Sequence, residues 1–81
     1  MTREEVFEKL DKVFQDVFDD EGIHVTDETT SYDIDGWDSL EQINLIVSLE
    51  KKFKIKFGMG EAGNMKNVGE MADRILTKIN G

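Results

Sequence analysis

The chain has 81 residues, a net charge of −8, one histidine and no cysteine. That length supports one modest hydrophobic core and a single domain over residues 1–81. The absence of cysteine excludes disulfides, thiolate metal sites and any thiol chemistry from the polypeptide itself, and the single histidine excludes multi-histidine metal centres. No apolar run approaches the roughly 18–20 residues of a membrane span. Thr2-Arg3-Glu4-Glu5 is too charged for a secretory leader, so the sequence points to a cytoplasmic protein. The charge is lopsided: residues 1–41 hold 14 acids against 3 bases, and residues 42–81 hold 4 acids against 7 bases. An acidic half of this kind argues against a nucleic-acid backbone as ligand and suits basic partner surfaces.

The first predicted element is a helix over about residues 3–19. Thr2 and Glu5 have capping-box spacing, and Val6, Phe7, Leu10, Val13, Phe14, Val17 and Phe18 recur on one face. Asp19, Asp20 and Glu21 oppose the helix dipole at its end, and Gly22 is the expected stop. Residues 20–38 keep no period. A connection this long is uncommon in a compact domain unless it has a function. Its scattered Ile23, Val25, Tyr32, Ile34 and Trp37 can pin it in place, with Trp37 a packing residue rather than a ligand platform.

A second helix is expected to begin at Asp38 or Ser39, both good N-cap residues, and to run to about Phe53. Leu40, Ile43, Ile46, Leu49 and Phe53 form its apolar row, broadened by Leu45 and Val47. Such a wide stripe means burial on more than one side or apolar residues left open for partners. Residues 55–65 contain three glycines in six positions, which allows at most one short, mobile turn around Glu61–Met65. The last helix starts with the Asn67/Glu70 cap spacing and carries Val68, Met71, Ala72, Ile75, Leu76 and Ile79. The expected fold is all-α: a small four-helix bundle with three main helices and one short, weak helix.

Ser39 at a helix start admits several chemistries. A serine nucleophile needs a nearby base and an oxyanion hole, yet His24 is the only histidine and no Gly-x-Ser-x-Gly elbow exists. Asp33-Ile34-Asp35-Gly36 resembles the middle of a calcium loop, but that register places Ser31 and Gln42 where the first acid and the bidentate glutamate belong. No metal site and no catalytic residue is assigned. A plain helix cap, in an acidic helical interaction or metal-responsive module, remains open. So does a phosphodiester on the hydroxyl, which the positive end of a helix favours.

Gly36-Trp37-Asp38-Ser39-Leu40, followed by the apolar run through Leu49-Glu50 to Phe53, closely resembles the acyl carrier proteins. Their Asp-Ser-Leu motif opens the second helix after a long loop, and the likeness extends over nearly the whole chain. The resemblance implies a non-enzymatic carrier. Ser39 would receive 4′-phosphopantetheine from coenzyme A through a phosphopantetheinyl transferase (holo-carrier synthase) using magnesium. Acyl groups would ride on the arm's thiol as thioesters, passing between acyl-loading and acyl-processing enzymes of fatty acid, polyketide or related lipid synthesis. Asp38, Leu40 and Glu41 match the family's partner-recognition residues, and Ile43 and Val47 its semi-exposed docking positions. A monomer is implied, with no nucleic acid and no membrane span. The chain departs from the family pattern where Lys51 and Lys52 replace the acids at the far end of the second helix. Asn44 also replaces an acid, and the third-helix region is glycine-rich. These departures point to a specialised carrier.

Overall fold

A computed structural model of the chain describes every residue except Met59, Ala62, Asn64 and Gly81. Its regular structure is α1 (Arg3–Val17), a 3-10 turn (Ser31–Asp33), α2 (Ser39–Phe53) and α3 (Val68–Asn80), with no strand among the described residues. The fold is an all-α bundle. The short helix expected around residues 61–65 has Gly60, Glu61 and Gly63 in turns, while Ala62 and Asn64 lie outside the described residues. The 3-10 turn was not foreseen; Thr30 and Asp33 close it as a miniature capping box.

α1 begins as its sequence dictates. The Glu5 N–H donates to Thr2 Oγ1 at 3.2 Å and the Thr2 N–H to Glu5 Oε1 at 2.9 Å. Its end corrects the expectation of residue 19 with Gly22 as stop. Val17 is the last helical residue, and Asp19 turns left-handed at φ 50°. The Asp20 N–H then donates back to the Gln15 carbonyl at 3.0 Å, closing the end as a Schellman-type turn. Aspartate is one of the few non-glycine residues that enter this region readily. Three successive acids against the helix dipole also give the chain reason to leave the helix early.

The core joins Val6, Leu10, Val13 and Phe14 of α1 to Leu45, Ile46, Leu49 and Phe53 of α2 and to Val68, Met71, Ala72 and Ile75 of α3. Each large side chain buried there contributes about 1.5–3 kcal/mol. Of the two readings of the wide α2 stripe, the open one holds: Leu40, Ile43 and Val47 face solvent. The helix is wide in its apolar stripe because it is core on one side and open surface on the other.

The long connection is held by backbone groups rather than by periodicity. Gln15 Nε2 donates to the Ile23 carbonyl at 2.9 Å, and the Val25 N–H donates to Asp11 Oδ1 at 2.7 Å, seating Val25 in the core. Downstream, the first amides of α3 reach back to the loop. The Val68 N–H donates to the Thr29 carbonyl at 2.8 Å and the Gly69 N–H to the Asp27 carbonyl at 3.0 Å. Donors that a helix start would otherwise leave unpaired are thereby satisfied. Asn67 Oδ1 accepts from the Glu70 N–H at 2.9 Å, as the cap spacing predicts. Arg3 completes the tie, its guanidinium donating to Asp27 of the loop and Asp73 of α3 while lying 5.4 Å from the Phe7 ring centre.

Beyond α2, Glu61 organises the glycine-rich segment. Its Oε1 accepts from the Gly58 N–H and from Lys78 Nζ, both at 2.9 Å. The Gly58 amide first, and Lys78 second, hold its carboxyl below the ordinary value of 4.5. A lowered folded-state pKa means stability that is complete above the unfolded value and lost as pH falls through the folded one. The stability gap between wild type and Glu61→Gln should therefore persist from about pH 7 to about pH 5 and close below about pH 4. Thermal unfolding across that range checks this; a gap independent of pH would refute the role given to the carboxylate.

A serine at the head of α2

Three residues aim the chain into α2. Gly36 sits at φ 85°, where a Cβ would make only an ordinary contact with Phe18 at 4.0 Å but the backbone would be strained. The Trp37 N–H donates to the Ile34 carbonyl at 3.3 Å and the Asp38 N–H to the Gly36 carbonyl at 3.0 Å, making a tight corner. Trp37 anchors that corner. Its ring meets Phe14 edge-on at 5.2 Å and lies 6.0 Å from Phe18, and its Nε1–H donates to Gln42 Oε1 at 2.6 Å.

Of the two cap candidates, Asp38 is the one used. Its Oδ1 accepts the Glu41 N–H at 2.8 Å, and its carbonyl accepts the Gln42 N–H at 2.9 Å. Ser39 is the first helical residue, exposed, and its hydroxyl makes no hydrogen bond with any described residue. The capping work is done next door, so the hydroxyl is available for chemistry.

Ser39 stands on an open groove of about 510 Å³ lined also by Ser31, Trp37, Asp38, Gln42, Ile43 and Gly63. The same Ser31, Trp37, Gln42 and Gly63 border a narrower recess of about 120 Å³ that reaches Met65, Asn67 and the buried Met71. A mixed wall of hydroxyl, amide and apolar groups fits a flexible arm that is polar along its length and can bear an apolar end. A phosphate on Ser39 would lie at the positive end of the α2 dipole. The residues present therefore fit a phosphopantetheine group.

His24 does not line this groove; its Nδ1 lies 3.3 Å from Asp11 Oδ2 on α1. Asp33, one of the acids of the calcium-like stretch, accepts the Thr30 N–H at 2.9 Å. Among the described residues no group of three or more His, Cys, Asp or Glu side chains is arranged to hold a metal ion. No described helix is long and apolar enough to cross a membrane.

The remaining singled-out residues surround Ser39 along one side of α2. Asp38 is exposed, and Glu41 is half-buried with its Oε1 accepting from Asn44 Nδ2 at 3.2 Å. Leu40, Ile43 and Val47 are 66%, 62% and 43% exposed, far above what a core position allows. Sequence reasoning missed Ser31 and Gln42 as groove residues. A polar side chain five residues after a tryptophan, across a helix start, was the one available signal for Gln42.

Residues 8–75 match the family described as phosphopantetheine attachment site. The chain is 30% identical over 79 residues to the acyl carrier protein of Exiguobacterium sibiricum, covering 98% of this chain and all of that one. It is 27% identical over 78 residues to the acyl carrier protein of Thermotoga maritima, covering 96% of each. Its fold is similar to the solution structure of a holo acyl carrier protein from Geobacter metallireducens. The TM-score is 0.86 and the identity 49%, over 93% of this chain and 86% of that one. Members of this family are carriers with a 4′-phosphopantetheine prosthetic group, not enzymes, and they work with a phosphopantetheinyl transferase and acyl-processing enzymes. With most of its length inside the family match and its helices superposable on a holo carrier, this chain belongs to the acyl carrier protein family.

Proposed function

We propose that Ser39 is the attachment point of 4′-phosphopantetheine and that the whole of residues 1–81 works as one carrier domain in the cytoplasm. The observation that carries this reading is the division of labour at the head of α2. Asp38 caps the helix, while Ser39 presents at the mouth of a groove a hydroxyl that no described residue engages. The Ser39 oxygen would form a phosphodiester with the pantetheine-side phosphorus of coenzyme A as the pyrophosphate P–O bond breaks, releasing adenosine 3′,5′-bisphosphate, and the hydroxyl proton would pass to the transferase. The arm supplies the thiol, absent from this cysteine-free chain, on which acyl groups travel as thioesters. Asp38, Leu40, Glu41, Ile43 and Val47 form the face that meets the transferase and the acyl-loading and acyl-processing enzymes. The recess behind Trp37 and Gln42 gives the acyl end a place to shelter. Incubation with coenzyme A, magnesium and a broad-specificity transferase should add the mass of one phosphopantetheine, and Ser39→Ala should add none. No gain under conditions that convert a control carrier would sink the reading.

A further inference from the structure

The open side of α2 carries charge of opposite sign at its two ends. Leu40, Ile43, Val47, Lys51 and Lys54 follow one another at steps of three and four, so they share one helical strip. Leu40, Ile43 and Val47 are its exposed apolar centre. Asp38 and Glu41 stand at the Ser39 end. At the other end a groove of about 320 Å³ joins Val47 to Lys51, Lys54, Ile55 and Lys56. These three lysines are exposed and none is in an ion pair with a described residue. Glu50, the acid beside them, spends a carboxylate oxygen on the Phe57 N–H at 2.9 Å. Three cations are held next to an apolar strip without internal use.

We propose that α2 docks lengthwise on a protein partner of matching polarity. Its surface carries basic residues around the opening that receives the arm and an acidic patch about 20 Å away, where the lysines land. Charge complementarity selects this occupant. A uniformly basic surface would attract the Ser39 end and repel the lysine end, whereas a bipolar one satisfies both and fixes the direction of α2. The strip is about 20 Å long and one helix wide, well below the area of a stable complex, so the contact is transient and its charges act on encounter and selection. This inference rests on the carrier reading for what the partner does, but the docking itself needs no arm.

The test uses the full chain and three helical peptides that share one leucine stripe. One has lysines at one end and glutamates at the other, one has lysines at both ends, and one has glutamates at both. Titrations followed by amide chemical shifts should show the peptide with mixed ends binding about fivefold tighter than either of the others, with shifts along α2. K51E/K54E/K56E should switch the preference to the all-lysine peptide. K51Q/K54Q/K56Q, which keeps the fold without new charge, should remove the lysine-end contribution. High salt should flatten all differences. Equal or tighter binding of the all-lysine peptide to the wild-type chain overturns the proposal. So does self-association of the chain that the lysine variants abolish, because the occupant is then a second copy. A chain that takes up no phosphopantetheine yet shows the mixed-end preference would overturn the carrier reading alone.

Discussion

Gly69→Ala should destabilise the fold by about 2 kcal/mol, although alanine is the better helix former by about 1 kcal/mol. A Cβ at this position would lie 2.8 Å from the Asp27 carbonyl oxygen, 3.0 Å from Asp27 Oδ1 and 3.2 Å from Asn67 Oδ1. The carbonyl cannot simply retreat, because it accepts the Gly69 N–H at 3.0 Å and its neighbourhood is tied by Arg3 to Asp27 and Asp73. Making room means lifting the loop from the start of α3 and losing the amide contacts that satisfy it. In a domain of this size the change should appear as a drop of about 10 °C in thermal midpoint, read by circular dichroism. An unchanged or raised midpoint would show that the close approach of loop and helix is absent in solution.

Trp37→Ala should cost about 3 kcal/mol, and Trp37→Phe about 1 kcal/mol. The indole packs on Phe14 and Phe18 and is fixed by its hydrogen bond to Gln42, so alanine empties the space between the loop corner and α1. Phenylalanine keeps most of the aromatic contact and gives up only the polar tether. Chemical denaturation separates the two costs. Both variants retain Ser39, so the transferase should still modify them, more slowly in the alanine variant because the corner before Ser39 has lost its anchor. Equal stability of Trp37→Ala and wild type would remove Trp37 as the pin of the site.

The elements that were legible in the sequence are those governed by neighbours along the chain. The Thr2/Glu5 and Asn67/Glu70 pairs mark helix starts through local hydrogen bonds, and the apolar periods of α1 and α3 give their buried faces. Ser39 and the Asp-Ser-Leu motif were likewise visible, since both depend on a short stretch. What stayed hidden was set by distant contacts. Nothing near Gly69 announces that the backbone of Asp27 will press against it, and a periodicity count cannot tell that Leu40 and Ile43 face solvent while Leu45 and Ile46 face the core. The choice of Asp38 over Ser39 as cap depends on the corner that Gly36 and Trp37 build. The early end of α1 at Val17 reflects acids whose electrostatic cost was noted but whose unwinding was not.

The central claim is that one hydroxyl, on Ser39, bears the prosthetic group. Fragmentation mass spectrometry of the wild-type chain, after reaction with coenzyme A, magnesium and a transferase, tests it most directly. The chain has three serines, Ser31, Ser39 and Ser48, and Ser31 lies on the same groove as Ser39. The phosphodiester should be found on Ser39 alone, with release of the pantetheine portion from that peptide. A phosphopantetheine on Ser31 or Ser48, or an unmodified Ser39 peptide beside a fully converted control carrier, would contradict the account.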